Sequence, residues 1–280
     1  MDAIVTLLLG LLGVFSGFLG GLLGVGGGVI VVPILILVFG FESRIAVGTS
    51  SMMVLFTALS GTGAYFRQKR IDWKTGILAA VTTVPGAAIG AYLTKFFSSR
   101  SLAIIFGVTL FVMATMMIRR TLRAAKNQST ENTIKNAQQY GSRAGWKRRI
   151  VDAAGNVFDY SARLNPGLPL LFFGGLASGF LGIGGGLVVV PILAEIIGLP
   201  IHLAVATSML TMIFTSISSV STHIMLGNVR IDYAIPLIIG ILLGAQGGAR
   251  TARHLKSTAL ERVFAVFIIG IGILLIITRI

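Results

Sequence analysis

The chain has 280 residues, 55% of them hydrophobic and only 11% charged, and carries a formal net charge of +14. A soluble chain of this length carries about 25% charged residues, so this composition excludes a water-facing globular surface. Cysteine is absent, which excludes disulfides and thiolate metal sites.

Apolar runs follow one another along the chain: Ile4–Leu23, Val29–Phe39, Ala46–Phe66, Gly76–Phe96, Leu102–Ile118, Leu168–Leu181, Leu187–Ile197, Leu203–Leu226, Tyr233–Ala249 and Leu260–Ile277. Several reach the roughly 20 residues that a helix needs to cross a bilayer. The fold class expected is an all-α polytopic membrane protein. The first run has neither a basic n-region nor a small-residue cleavage site, so it is expected to stay as a helix.

Within these runs one unusual phrase occurs twice. Gly24-Val25-Gly26-Gly27-Gly28, followed by Pro33, returns 158 positions later as Gly182-Ile183-Gly184-Gly185-Gly186, followed by Pro191. The repeat continues with Ala46-Val47-Gly48-Thr49-Ser50 against Ala204-Val205-Ala206-Thr207-Ser208, Phe56-Thr57 against Phe214-Thr215, and Ser60 against Ser218. Farther on, Ile71-Asp72-Trp73 resembles Ile231-Asp232-Tyr233 at an offset of 160, which implies a two-residue insertion that is later undone. Two homologous halves, 1–118 and 167–280, are thus joined by a basic connector, 119–166.

That connector holds ten basic residues against three acidic ones and reads as a cytoplasmic loop beside anionic lipid headgroups. Nucleic acid is the weaker partner for this charge, since no aromatic platform accompanies it. Trp146 beside Lys147-Arg148-Arg149 suits an interfacial anchor. With the connector inside, the clusters at Arg67, Lys69, Arg70 and Lys74 and at Arg250, Arg253 and Lys256 are both inside only if Leu168–Ile197 begins and ends on that side. Each half then comprises a glycine-broken hairpin and three crossings, and the halves face opposite ways as inverted-topology repeats.

A triple glycine does not sustain a regular helix. Such breaks in matching halves of a membrane chain point to a secondary transporter's substrate site. Gly26, Gly27, Gly28, Gly184, Gly185 and Gly186 are therefore candidate binding residues, the helix start after each break suiting an anion; close helix packing is the alternative. Pro33 and Pro191 are expected to kink the short arms as hinges. Thr49, Ser50, Thr207 and Ser208 offer hydroxyls either to an anion or back to their own helices. Gln246, an amide within an apolar run, serves either substrate or helix–helix packing. Glu195 is a proton-coupling candidate or an interfacial carboxylate, and His223 is read as an interfacial histidine. No triad, paired-carboxylate site or metal-ligand cluster is visible, so neither enzymatic chemistry nor a cofactor or metal is expected.

The doubled Gly-Xaa-Gly-Gly-Gly-four residues-Pro, each copy followed by Ala-Val-(Gly/Ala)-Thr-Ser, resembles the sulfite exporter TauE/SafE family of membrane transport proteins. The resemblance implies a multi-pass permease of the bacterial-type inner membrane that exports sulfite, sulfoacetate or related small organosulfur anions. An anion channel on the same paired hairpins, or a membrane scaffold acting through the basic loop, are the other readings. Oligomeric state is not indicated.

Overall fold

The computed structural model describes residues 3–128 and 145–252. Helix α1 (Ala3–Leu23) runs to the first glycine break and α2 (Gly28–Leu37) leaves it. The long α3 (Ser43–Arg67), α4 (Trp73–Leu93) and α5 (Ser99–Gln128) complete the first half. After the connector, α6 (Leu164–Leu181) runs to the second break, and α7 leaves it as a single α-turn (Gly186–Pro191) that widens into a π-helix (Ile192–Ile197). Helices α8 (Ile201–Met225) and α9 (Ile231–Thr251) follow. The expected crossing at Leu260–Ile277, with Arg253 and Lys256, lies outside the described residues.

Six of these helices are long and apolar enough to span a bilayer. Large apolar side chains such as Ile4, Leu11, Val81, Ile239 and Leu243 face outward on α1, α4 and α9, whereas α3 and α8 are the most buried helices. In lipid this is the stable arrangement, since outward Leu and Ile cost nothing there. The chain is a multi-pass membrane protein.

Close approach of the helices depends on glycine. A Cβ at Gly244 or Gly248 of α9 would stand 2.1 or 1.9 Å from the carbonyl oxygens of Val14 and Phe18 in α1. At the equivalent points a Cβ on Gly86 or Gly90 of α4 would stand 2.3 or 2.0 Å from the carbonyl oxygens of Phe172 and Leu176 in α6. No larger residue fits without separating the backbones. These stripes therefore join α1 to α9 and α6 to α4, the most extensive helix contacts in the molecule. Each half's α4 or α9 packs on the first helix of the other half.

Three expectations change. The chain is not purely helical, because the connector folds into an antiparallel hairpin, β1 (Trp146–Val151) with β2 (Val157–Ala162). The β-branched Ile150, Val151 and Val157 favour strands. In the turn, the Asp152 carboxylate accepts the N–H groups of Ala154 and Asn156, both at 2.9 Å, and Gly155 takes φ of 84°. Helix α5 runs on to Gln128, past the expected boundary at 118. Finally, α4 starts at Trp73 and α9 at Ile231, 158 apart, so no insertion separates the copies. The Ile-Asp-aromatic likeness at offset 160 is a chance match, and Asp72 stands in space where the second half has Arg230.

Candidate functional site

At the first break Gly24, Gly26 and Gly27 take φ of 73°, 89° and 79°; at the second, Gly182, Gly184 and Gly185 take 67°, 77° and 78°. This left-handed backbone is strained for any residue with a Cβ. Each sequence of conformations ends one helix and starts the next, and both breaks are buried. The structure brings them together. A Cβ on Gly186 would lie 2.0 Å from the Gly24 carbonyl oxygen, and one on Gly28 would lie 2.4 Å from that of Gly182.

The hydroxyls flanking the breaks bind across the halves. Ser50 Oγ donates to the Gly182 carbonyl at 2.9 Å, and Ser208 Oγ shares its proton between the Gly24 carbonyl at 3.2 Å and the nearer Val205 carbonyl of its own helix at 2.8 Å. These carbonyls end α6 and α1 and would otherwise lack partners in the membrane. Thr49 Oγ1 accepts the Arg230 N–H at 3.1 Å, and Thr207 Oγ1 accepts the Asp72 N–H at 3.0 Å. Tyr65 donates to the Gly21 carbonyl at 2.9 Å, while at the matching point His223 Nε2 meets the Gly179 carbonyl at 3.1 Å. Farther along, Ser60 and Ser218 reach the carbonyls of Leu242 and Val84 at 2.9 and 3.0 Å, whereas Thr57 and Thr215 bond back within their own helices. The cross-half bonds of Thr49, Ser50 and Ser60 recur at 158 in those of Thr207, Ser208 and Ser218, whereas those of Gln68 with Ala249, Thr211 with Gly76 and Ser219 with Ser51 belong to one half alone.

Between the two breaks stand Val54 and Met212, both fully buried. A Cβ on Gly26 would meet the Met212 methyl at 2.4 Å, and one on Gly184 would meet a Val54 methyl at 2.2 Å. This pair, also spaced by 158, fills the centre with apolar atoms. Nothing in the sequence distinguished them from other core residues. Methionine's unbranched, flexible side chain suits an irregular gap of this kind.

Other predicted residues lie elsewhere. Gln246 is on the exposed face of α9, where its Oε1 accepts from Arg250 at 3.3 Å. Glu195 is exposed on the π-helical part of α7. Pro33 is buried inside α2, and Pro191 sits where α7 passes from α to π geometry. A proline that removes one backbone donor accounts for the widened turn. His223 is not interfacial but fully buried, because the Gly179 carbonyl and Asn228 draw its ring inward.

The hairpin docks on the α3–α4 loop through residues that sequence reasoning missed. The Asp72 carboxylate, with no exposed area, accepts from Thr75 Oγ1 at 2.6 Å, from Arg148 Nη2 at 2.5 Å and from Tyr160 at 2.5 Å. Burial raises the pKa of this carboxyl, but the bonds from Thr75, Tyr160 and Arg148 outweigh it and hold it below the usual range. Arg70 Nη2 meets the Asp152 carboxylate at 2.9 Å, and the Ala153 N–H donates to the Gln68 carbonyl at 3.0 Å. Burial opposes ionisation of Asp152 as well, yet bonds from Asn156, Arg70 and the turn backbone bring it down to about 2. The Arg163 N–H donates to the Ile197 carbonyl at 2.8 Å, so the start of α6 and the end of α7 lie together under the hairpin. Only the Asp72-Xaa-Xaa-Thr75 cap was a local signal; its ionic partner lies 76 residues away.

The sequence profile of the family described as "Sulfite exporter TauE/SafE" matches residues 9–275. The probable membrane transporter protein YunE of Bacillus subtilis is 30% identical over 272 residues, covering 95% of both chains. A probable membrane transporter protein of Xylella fastidiosa is 25% identical, covering 93% of this chain and 90% of its own, and MJ0441 of Methanocaldococcus jannaschii is 26% identical, covering 94% and 92%. No solved structure matches. With the doubled glycine break, the bilayer-length helices and relatives named as transporters over nearly its whole length, this chain belongs to the Sulfite exporter TauE/SafE family of membrane transporters.

Proposed function

We propose that the protein is a secondary transporter that exports small anions such as sulfite, sulfoacetate or related organosulfur compounds, by alternating access around a site at the bilayer midplane. The observation that carries this reading is the meeting of the two glycine breaks, where the helix starts at Gly28 and Gly186 converge in a buried centre. Helix starts present free N–H groups and a positive dipole end, which attract an anion without a permanent buried cation. Ser50 and Ser208 stand beside them, their hydroxyl protons held by backbone carbonyls while the breaks are closed on each other.

The reciprocal bonds at 158 support two inverted repeats related by a pseudo-two-fold axis. The exchanged helices define the moving bodies. One is α1–α2–α3 with α9, the other α6–α7–α8 with α4, and they meet along α3 and α8. On this reading the hairpin and the α3–α4 loop face the cytoplasm of a bacterial-type inner membrane, beside anionic headgroups, and the Arg230 end faces outward. On this reading the buried Val54 and Met212 close the centre, as expected of an occluded state. The membrane potential aids export of an anion from a negative interior by about 2.3 kcal/mol per charge per 100 mV.

Counterflow in proteoliposomes tests the proposal. Labelled sulfite or sulfoacetate is expected to accumulate against an unlabelled internal pool at zero voltage, without electrical conductance. Conductance with no exchange would assign a channel instead. Absence of both, with every anion in that class, would end the transport reading.

A further inference from the structure

The repeat is chemically uneven at one buried position. Tyr65 and His223 occupy equivalent places and donate to equivalent carbonyls, Gly21 and Gly179, one turn before each glycine break. Both side chains are buried within 2% of full enclosure. A tyrosine hydroxyl holds its proton across the physiological range; an imidazole, with an ordinary pKa near 6.5, does not. An ionisable group enclosed within membrane helices is costly to keep and marks a functional position by default.

The surroundings of His223 define its state. The Gly179 carbonyl only accepts, so Nε2 carries the proton, and Nδ1 faces the Asn228 amide nitrogen at 3.4 Å as an acceptor. These bonds suit the neutral ring. Protonation at Nδ1 turns that acceptor into a donor pointed at another donor and places a full charge in an apolar seam. Asn228 borders the loop before α9, and its backbone carbonyl lies 2.3 Å from where a Cβ on Gly48 would stand, which closes α3 over the seam. Beyond it the Arg230 N–H caps on Thr49.

Among the described residues no carboxylate is bonded to the His223 ring. Helix α6 carries no charged side chain over 164–181; α3 brings Glu42 and Arg44 around its first turn, α4 is followed by Lys95, and Arg230 pairs with Asp232 at 2.6 Å. The remaining charges of the helices packed on α8, namely Arg67, Lys74 and Glu195, lie toward the hairpin.

We propose that His223 is a proton-binding site of the transport cycle, neutral while the Arg230 end is closed and protonated at Nδ1 when that end opens to water. Proton uptake then favours the outward-open state, and closure requires that the proton leave. The first half, with Tyr65, has no such control, so only one of the two openings responds to pH. This inference rests on the alternating-access reading and assigns the coupling ion to a residue.

The natural absence of cysteine gives a direct test. Ser50→Cys supplies one thiol at the buried centre, and its rate of modification by a membrane-impermeant methanethiosulfonate from the outside reports opening. The rate is measured from pH 8 to pH 5.5 with His223, with His223→Tyr, which installs the residue that the first half already uses, and with His223→Gln, which keeps a donor for Gly179. Dividing the His223 rate by that of each variant cancels the thiol's own titration. The ratio is expected to rise at least fivefold as pH falls, with a midpoint near the ordinary imidazole range. A ratio independent of pH for both variants would overturn the proposal while leaving transport intact. No modification in any background at any pH would instead defeat alternating access itself.

Discussion

The two ends of the α3–α8 crossing start from the same backbone contact and are secured in opposite ways. At one end the Asp72 N–H caps on Thr207; at the other the Arg230 N–H caps on Thr49. At the first end a carboxylate with no exposed area gathers Thr75, Arg148 and Tyr160 beneath a docked hairpin. At the second, Arg230 turns to its own neighbour Asp232, and both side chains are about half exposed, at 51% and 49%. The backbone contact is the same at both ends of the crossing, and the surrounding chain made one end strong. A buried, multiply bonded ion pair is expensive to break from one side, whereas an exposed one is screened by water and salt.

The largest effect is expected at the centre that both ends share. Gly186→Ala drives a methyl into the Gly24 carbonyl 2.0 Å away, backbone against backbone. Loss of the folded, monodisperse protein is the expected outcome, read by size-exclusion fluorescence. A variant with wild-type melting would show that the breaks are looser than their packing.

Asp72→Ala comes next. Removing one partner of a buried pair costs about 3–5 kcal/mol, because Arg148 and Tyr160 then lose their common acceptor. The melting temperature should fall and trypsin should cut faster at Lys147 and Arg149. Asp232→Ala is the control, since its ion pair is exposed, and no measurable change in melting is expected. Equal losses in the two variants would erase the contrast between the ends.

A smaller effect is expected for Ser50→Ala, which deprives the Gly182 carbonyl of its donor at about 1 kcal/mol, and a smaller one still for Ser208→Ala, whose proton is shared with Val205 of its own helix. Equal losses in melting would show that Ser208 gives its proton to Gly24 rather than to Val205.

The weakest perturbation is pH. Asp72 and Asp152 both have lowered pKa values in the folded protein, so their contribution to hairpin docking is fully present above the unfolded carboxyl value of about 3.9. It is lost as pH falls through the folded values, about 2 for Asp152. Hydrogen exchange in 146–162 should therefore be level from pH 8 to 5, after correction for intrinsic rates, and protection should drop only below about pH 4. Loss of protection at pH 6 would mean that other groups hold the hairpin.

Much of this molecule was legible without coordinates. Composition alone required membrane helices, because 11% charge does not cover a soluble surface. The doubled triple glycine required two breaks at 158, since left-handed backbone at six positions tolerates nothing larger. Local chemistry misled where it was read by likeness of letters: Ile71-Asp72-Trp73 and Ile231-Asp232-Tyr233 share residues and not positions. Gln246 and Glu195 were chosen for being polar among apolar neighbours, but the face of a helix on which such a residue falls depends on what packs beside it. His223 shows the reverse, a residue taken for interfacial from its place near a helix end and drawn inside by the Gly179 carbonyl.

The sequence by itself determined what each segment is, because hydropathy, glycine backbone freedom and charge all act within a few residues. Tertiary structure alone decided which segments meet. Contacts such as Asp72 with Arg148 and Ser50 with Gly182 join residues 76 and 132 positions apart, where no local energy term links them. They exist because helices of one half pack on helices of the other, so that the Gly24 and Gly182 carbonyls at the breaks meet Ser208 and Ser50 of the opposite half.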